Sequence, residues 1–193
     1  MGNSAKQLRL FIAVPVPENI KTGIRGFQSS LDSRVPEEKV SWVPPENIHL
    51  TLVFLGNTPE TAIERISQAA REAAQEEEPF HMEVGSGGAF PSPKNPRILW
   101  VGINGAEPLC RIKERLDEKL LERAGIKPEK RKYTPHLTIA RVRRRYPRMK
   151  TAKLLIDENP GFGSFKAESL ELIESILQPS GVRYRVLEKF EFV

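Results

Sequence analysis

Two of the chain's three histidines head the same phrase, His-Leu-Thr, at His49-Leu50-Thr51 and again at His136-Leu137-Thr138. In an extended strand residues i and i+2 leave the same face. Each phrase therefore sets an imidazole beside a hydroxyl while Leu50 and Leu137 point the other way. Imidazole titrates near neutrality, so of two such rings one can serve as base and the other as acid. Facing each other across a cleft, they would suit hydrolysis of a phosphodiester. Water attacks phosphorus in line with the departing oxygen, so the proton acceptor and the proton donor belong on opposite sides. The hydroxyls of Thr51 and Thr138 would donate to the phosphoryl oxygens as charge builds there. No metal or other cofactor is required by this scheme, and the zinc spacings His-x-His, Cys-x-x-Cys and His-Glu-x-x-His do not occur.

The remaining reactive residue types carry less. His81 has no Thr two residues on and reads as exposed or structural, and Cys110 has no local signature linking it to a base. Trp42 and Trp100 read as core or cleft-wall residues, with base stacking as the lesser option.

The elements that must position the two phrases also repeat. Arg9-Leu10-Phe11-Ile12-Ala13-Val14 is echoed by Arg97-Ile98-Leu99-Trp100-Val101-Gly102. A helical stripe follows each, with Ile20, Ile24, Phe27 and Leu31 in the first and Leu109, Ile112, Leu116 and Leu120 in the second. Then come the two phrases, giving offsets of 87–89 throughout. A weaker echo sets Phe80-His81-Met82-Glu83-Val84 against Phe165-Lys166-Ala167-Glu168-Ser169, at an offset of 85. A period this long suggests two fused copies of one supersecondary unit within a single domain, 1–193. The spacing predicts strands over 8–14, 48–55, 80–84, 98–103 and 136–142, and helices over 18–31, 59–76 and 107–123. Closing strands are expected over 165–177 and 184–193, with turns at 161–163 and 179–181. The stretch 85–96, rich in Gly and Pro, is the expected lobe junction. The class is α+β, largely antiparallel.

Composition sets the limits. A chain of 193 residues can bury a core without staples, and its single cysteine closes no internal bridge. The apolar run at 10–14 is too short for a membrane span, and Lys6 occupies the place where an acylation pattern after Gly2 wants Ser or Thr. A cytoplasmic setting with no membrane and no obligatory protein partner is the expectation. Net charge is +5, yet residues 127–150 alone carry a net +9, flanking the second phrase. Such a run is either a solvated basic loop or a surface that draws in a polyanion such as RNA.

Paired His-x-Thr phrases with these flanks resemble the two-histidine (2H) phosphoesterases, in particular their RNA 2′,3′-cyclic phosphodiesterase branch, also called the 2′-5′ RNA ligase family. The similarity runs through Trp42-Val43, Asn47 to Leu52, Phe54-Leu55-Gly56, Pro96 to Gly102, Pro135 to Arg141, and Glu174-Ser175 with Pro179-Ser180-Gly181 and Tyr184. It implies two pseudo-symmetric lobes of largely antiparallel sheet, with outer helices, around a central cleft. It also implies metal-independent hydrolysis of an RNA 2′,3′-cyclic phosphate to a 2′-phosphomonoester. On that resemblance His49 would protonate the departing 3′ oxygen, His136 would activate water, and Thr51 and Thr138 would hold the phosphate. Arg141 matches an arginine common after the second phrase, although strict alternation turns it away from His136 and Thr138, so contact needs a bulge or a long reach. Tyr133 stands where an aromatic is common, in a stacking or a core role. A ligase joining tRNA halves at the same site, and an inactive RNA-binding module, are the alternatives.

Overall fold

The computed structural model describes residues 6–144, 146, 148–179 and 181–193. Gly2, Arg145 of the basic run and Ser180 of the closing turn lie outside the described residues. The described residues form nine strands and four α-helices: β1 (Gln7–Val14), α1 (Glu18–Arg34), β2 (Ser41–Trp42), β3 (Leu50–Pro59), α2 (Ile63–Ala74), β4 (Phe80–Phe90), β5 (Ile98–Asn104), α3 (Glu107–Ala124), β6 (His136–Arg141), α4 (Lys150–Glu158), β7 (Gly161–Ala167), β8 (Ser169–Gln178) and β9 (Gly181–Glu191). They build two antiparallel sheets, β3-β1-β8-β9 and β2-β6-β5-β4-β7, the α+β arrangement expected.

The helices form where apolar side chains recur at helical spacing. Ile20, Ile24 and Leu31 of α1, and Leu109, Ile112, Leu116 and Leu120 of α3, are all buried. At the end of α3, Gly125 adopts φ 67°, and the N–H groups of Gly125 and Ile126 return to the carbonyls of Leu121 and Leu120. That closure needs a left-handed residue, which glycine adopts without steric cost. Each long helix crosses over. α1 follows a strand of the first sheet but packs against β7 of the second, and α3 follows a strand of the second but packs on β3 of the first. One apolar core joins Leu10, Ile12 and Leu50 of the first sheet to Leu99, Val101 and Leu137 of the second.

Several expectations are corrected. The stretch 85–96 is not a junction in its first half, because β4 runs on to Phe90 as a central strand of the second sheet. Its glycines serve close packing: a Cβ on Gly88 would lie 2.1 Å from the Trp100 ring, and one on Gly87 2.2 Å from the Leu155 carbonyl of α4. The chain instead passes between sheets on either side of β2, after α2, and again at Glu168, where β7 ends in one sheet and β8 begins in the other. The expected single strand 165–177 is therefore two, and 161–163 begins β7 rather than forming a turn. Phe80 to Val84 and Phe165 to Ala167 are hydrogen-bonded neighbours, not equivalents.

Helix α4 was not expected. Its first N–H groups are capped by a distant carboxylate, buried Glu38, which accepts from Lys150 N (2.7 Å), Thr151 N (2.9 Å) and Thr151 Oγ1 (2.8 Å).

Candidate active site

Each His-Leu-Thr phrase opens a strand, and the two strands are built alike. Leu50 and Leu137 are fully buried in the core, while His49, Thr51, His136 and Thr138 turn to the opposite face and remain partly open. On β1 and β3 the pairs are Ala13 with Thr51, then Ile12 with Val53, then Phe11 with Phe54. On β5 and β6 they are Trp100 with Thr138, then Leu99 with Ala140, then Ile98 with Arg141. Leu52 and Ile139 are thus each an extra residue, a bulge immediately after the threonine at matching places, 87 positions apart.

The bulge has a direct consequence. Residues directly opposite in an antiparallel ladder share a face, and one extra residue shifts the alternation by one. Arg141 therefore lies on the same face as Thr138 and His136, the condition that simple alternation denied it. Phe54 takes the equivalent place beside Thr51 and is 60% exposed. The bulge in β6 is fastened from behind. The carbonyl of Ile139 accepts from Val43 N (2.9 Å) and from Nε2 of buried Gln28 (2.8 Å), which also donates to Val43 O (2.9 Å).

Both imidazoles sit against aromatic edges. His49 has Tyr184 at 5.1 Å and Phe11 at 6.0 Å between ring centroids, and His136 has Phe90 at 5.0 Å and Trp100 at 6.1 Å. Burial lowers the pKa of His49 to about 4, helped by the positive charge of Lys21 and opposed by the carbonyl of Asn47. Burial likewise lowers that of His136, opposed by the carbonyl of Thr134 and helped by Arg141. Both rings are therefore neutral at pH 7. Nδ1 of His136 donates to Thr134 O at 2.7 Å, which fixes the tautomer and leaves Nε2 as the lone-pair nitrogen. The equivalent carbonyl, Asn47 O, favours the charged form of His49, whose Nδ1 has no well-formed hydrogen bond among the described residues.

Contacts also link the two lobes next to the phrases. β3 packs beside β6, and the Tyr133 hydroxyl donates to the carbonyl of Thr51 at 3.1 Å. The charge of Arg141 reaches both His136 on its own sheet and Tyr184 on the other, and Tyr184 in turn packs on His49.

The model of the LigT-like phosphoesterase family matches this chain twice, over residues 14–100 and 101–184. The chain belongs to the LigT-like phosphoesterases. Among curated relatives, the RNA 2′,3′-cyclic phosphodiesterase of Methanothermobacter thermautotrophicus is 33% identical over 185 residues, covering 95% of this chain and 98% of that one. The enzyme of the same name from Aeropyrum pernix is 38% identical over 149 residues, covering 75% of this chain and 82% of that one. The crystal structure of TT0787 from Thermus thermophilus aligns with a TM-score of 0.82 at 31% identity, covering 96% of this chain and 98% of that one. The fold also matches E. coli LigT complexed with 3′-AMP, with a TM-score of 0.77 at 23% identity and 97% and 99% of the two chains covered.

In this LigT-like chain, His49 and Thr51 share the open face of the first sheet, and His136, Thr138 and Arg141 share that of the second. Tyr133 does not offer a free ring: it is half-buried against the core with its hydroxyl engaged, which makes it a brace between the two phrases. His81 is exposed on β4 and Cys110 is exposed on α3. Trp42 donates to Asp32 at 2.8 Å, whereas the Trp100 ring packs beside His136. Sequence reasoning missed the rings that flank the imidazoles: Phe54 and Phe90, and Phe11, which is buried in a small apolar cluster with Ala13 and Ile173. It also missed Gln28, a polar residue in an otherwise apolar helical stripe. A separate concavity of about 590 Å³, lined by Lys94, Met149, Lys153 and Asp157 among others, shares no residue with the histidine faces. Among the described residues no group of three or more His, Cys, Asp or Glu side chains is placed to hold a metal ion, and no helix is long and apolar enough to cross a membrane.

Proposed function

We propose that this chain is an RNA 2′,3′-cyclic phosphodiesterase, acting in the cytoplasm on an RNA or oligonucleotide end, with His49 and His136 as its proton donor and acceptor. The observation that carries the reading is the matched setting of the two imidazoles: same phrase, same strand register, same bulge, each ring against aromatic edges on the open face of its sheet. The same recurrences support taking residues 1–193 as one domain made of two related units.

The role of each ring follows from how the two lobes differ. Phe11, Phe54 and Tyr184 surround the His49 face, whereas the residue equivalent to Phe54 on the other lobe is Arg141. A nucleoside seated on the rings places its ribose, and so its departing 3′ oxygen, on the His49 side. The phosphoryl group then lies toward Thr51, Thr138 and Arg141. Nε2 of His136, held as a lone pair by the Thr134 carbonyl, takes a proton from water as the water oxygen bonds to phosphorus. The bond from phosphorus to the 3′ oxygen breaks, and His49 gives that oxygen its proton. The products are a 2′-phosphomonoester and a 3′-hydroxyl, with His136 charged and His49 neutral until solvent resets both. His49 must be charged before the step, and a bound anion favours that by raising the pKa that burial had lowered.

The test is incubation with an RNA ending in 2′,3′-cyclic phosphate and identification of the product isomer. His49→Ala and His136→Ala should each cost about a hundredfold or more in rate. Undiminished turnover by either variant, or a 3′-phosphomonoester product, would overturn the reading. Joined tRNA halves in place of hydrolysis would favour the ligase.

A further inference from the structure

Ser86 stands on the second sheet in a conformation that its type does not favour, and its hydroxyl ends beside His136. In β4, Gly85 pairs with Gly102 and Gly87 with Val101, so Ser86 is the extra residue of a bulge. It takes φ 65°, in the left-handed region that glycine enters freely and serine enters at a cost.

Strand register places the hydroxyl. Gly102 opposes His136 directly, so these two residues, and Gly85 beyond them, share the open face of the sheet. Neither glycine puts a side chain there. A Cβ on Gly102 would stand 2.5 Å from Ser86 Oγ, 3.1 Å from the Gly85 carbonyl oxygen and 3.4 Å from Cζ3 of Trp100. Ser86 Oγ therefore occupies the space above Gly102, one strand away from His136, and Cβ atoms of such paired residues lie about 5 Å apart. The imidazole leans the same way, since its ring neighbours Trp100 and Phe90 belong to β5 and β4, the side on which Ser86 stands. Among the described residues the Ser86 hydroxyl has no hydrogen-bond partner, and the residue is half-buried with that oxygen open to water.

The first lobe has no such place. Val14 pairs with Leu50 as Val101 pairs with Leu137, so the counterpart of Gly102 is Pro15, which carries a ring where Gly102 carries nothing. The hydroxyl thus serves only the imidazole assigned as the base.

Resting on the phosphodiesterase reading, we infer that Ser86 selects water over an alcohol as the group that attacks phosphorus. Water has two O–H bonds. One proton passes to Nε2 of His136 as the oxygen bonds to phosphorus and the bond from phosphorus to the 3′ oxygen breaks. The other stays on the attacking oxygen and is donated to Ser86 Oγ, which aims the remaining lone pair at phosphorus. An alcohol has a single O–H, which His136 takes, so it gives Ser86 nothing and sets a carbon against the hydroxyl. Ser86 is in this way a specificity-determining residue, favouring a phosphomonoester over a new diester and so hydrolysis over the joining of ends.

The experiment supplies an RNA ending in 2′,3′-cyclic phosphate in water containing methanol and measures two products, the 2′-phosphomonoester and its methyl ester. Ser86→Ala and Ser86→Gly should slow hydrolysis about tenfold, the scale of one hydrogen bond lost in the transition state, and leave methanolysis within about twofold. The ratio of ester to monoester then rises about fivefold or more. Only folded molecules contribute to that ratio, so partial unfolding does not move it. Ser86→Gly also relieves the left-handed conformation and should melt no lower than the wild type. Gly102→Ala, whose Cβ displaces the hydroxyl, should raise the ratio in the same direction. A ratio unchanged in all three variants overturns the inference, whether both rates fall together or neither falls; an equal fall would mean that the hydroxyl holds substrate rather than water. In that case a wild type that hydrolyses the cyclic end leaves the phosphodiesterase reading standing without Ser86. A wild type that forms neither product fails that reading, and the role of Ser86 falls with it.

Discussion

Replacing Gln28 with Leu probes the least obvious part of the site, the fastening of the β6 bulge. Gln28 is 5% exposed and its amide donates to two backbone carbonyls, Ile139 O at 2.8 Å and Val43 O at 2.9 Å. Leucine fills similar volume and supplies neither bond. Ile139 O keeps the Val43 N–H, so it loses one of two partners, whereas Val43 O loses the amide donor altogether. Net loss of two hydrogen bonds costs about 1–3 kcal/mol, and a part-buried carbonyl left without its amide donor pushes the total toward the upper end. At this chain length each kcal/mol moves Tm by about 2–4 °C, so a drop of roughly 5–10 °C is expected by calorimetry. A second consequence separates this role from plain packing. A loosened bulge lets Arg141 leave the face it shares with Thr138, so KM for a cyclic-phosphate RNA should rise several-fold while kcat falls less. Mutating Arg141 in the Gln28→Leu background should then cost less than in wild type, because its position is already lost. An unchanged Tm, or full additivity of the two substitutions in KM, would refute the argument.

The remaining predictions concern protons and packing. With His49 near pKa 4 and His136 also below its ordinary value, the free enzyme's productive form needs one ring charged and the other neutral. The optimum of kcat/KM should therefore lie below pH 6.5, with about a tenfold fall per unit on the alkaline limb. An alkaline limb in kcat/KM that starts above pH 7 would contradict the burial of these rings. The same shifts bear on folding. A lowered histidine pKa means that the unfolded chain binds more protons between about pH 4 and 6.5, so the neutral-ring contribution is complete above pH 6.5 and lost as pH falls toward 4, visible as a declining denaturant midpoint. Gly88→Ala should be strongly destabilising or should displace Trp100 onto His136, because its Cβ would fall 2.1 Å from the indole; wild-type melting with wild-type kcat would show that the sheet yields there at no cost. Tyr133→Phe removes one bond to the Thr51 carbonyl while keeping the ring, so about 1 kcal/mol of stability and a modest loss in kcat/KM are expected from chemical unfolding and kinetics.

How far the residues announced this site depended on whether the governing interaction was local. The facing of His49 with Thr51 and of His136 with Thr138 needs only the period of a strand, and it was legible at once. Arg141 was not, because the bulge that turns it inward is an apolar residue, Ile139, indistinguishable in type from its neighbours and held by a glutamine more than a hundred positions away. The same holds for α4, whose N-terminal cap is a carboxylate on another segment rather than a Ser, Thr, Asp or Asn beside it. Gly85, Gly87 and Gly88 misled for a related reason. Glycine marks a turn when its backbone must take a positive φ, but at Gly87 and Gly88 it marks a place where Leu155 and Trp100 press against a strand. Mutual exchange of strands was likewise unreadable: β4 and β8 each join the sheet opened by the other half of the chain, a choice made by long-range pairing. That exchange matters for the chemistry. A strand of each half lies within the sheet that carries the other half's histidine, so neither phrase can be aligned on its own. A truncation that spares one complete repeat should therefore lose both faces of the site, not one.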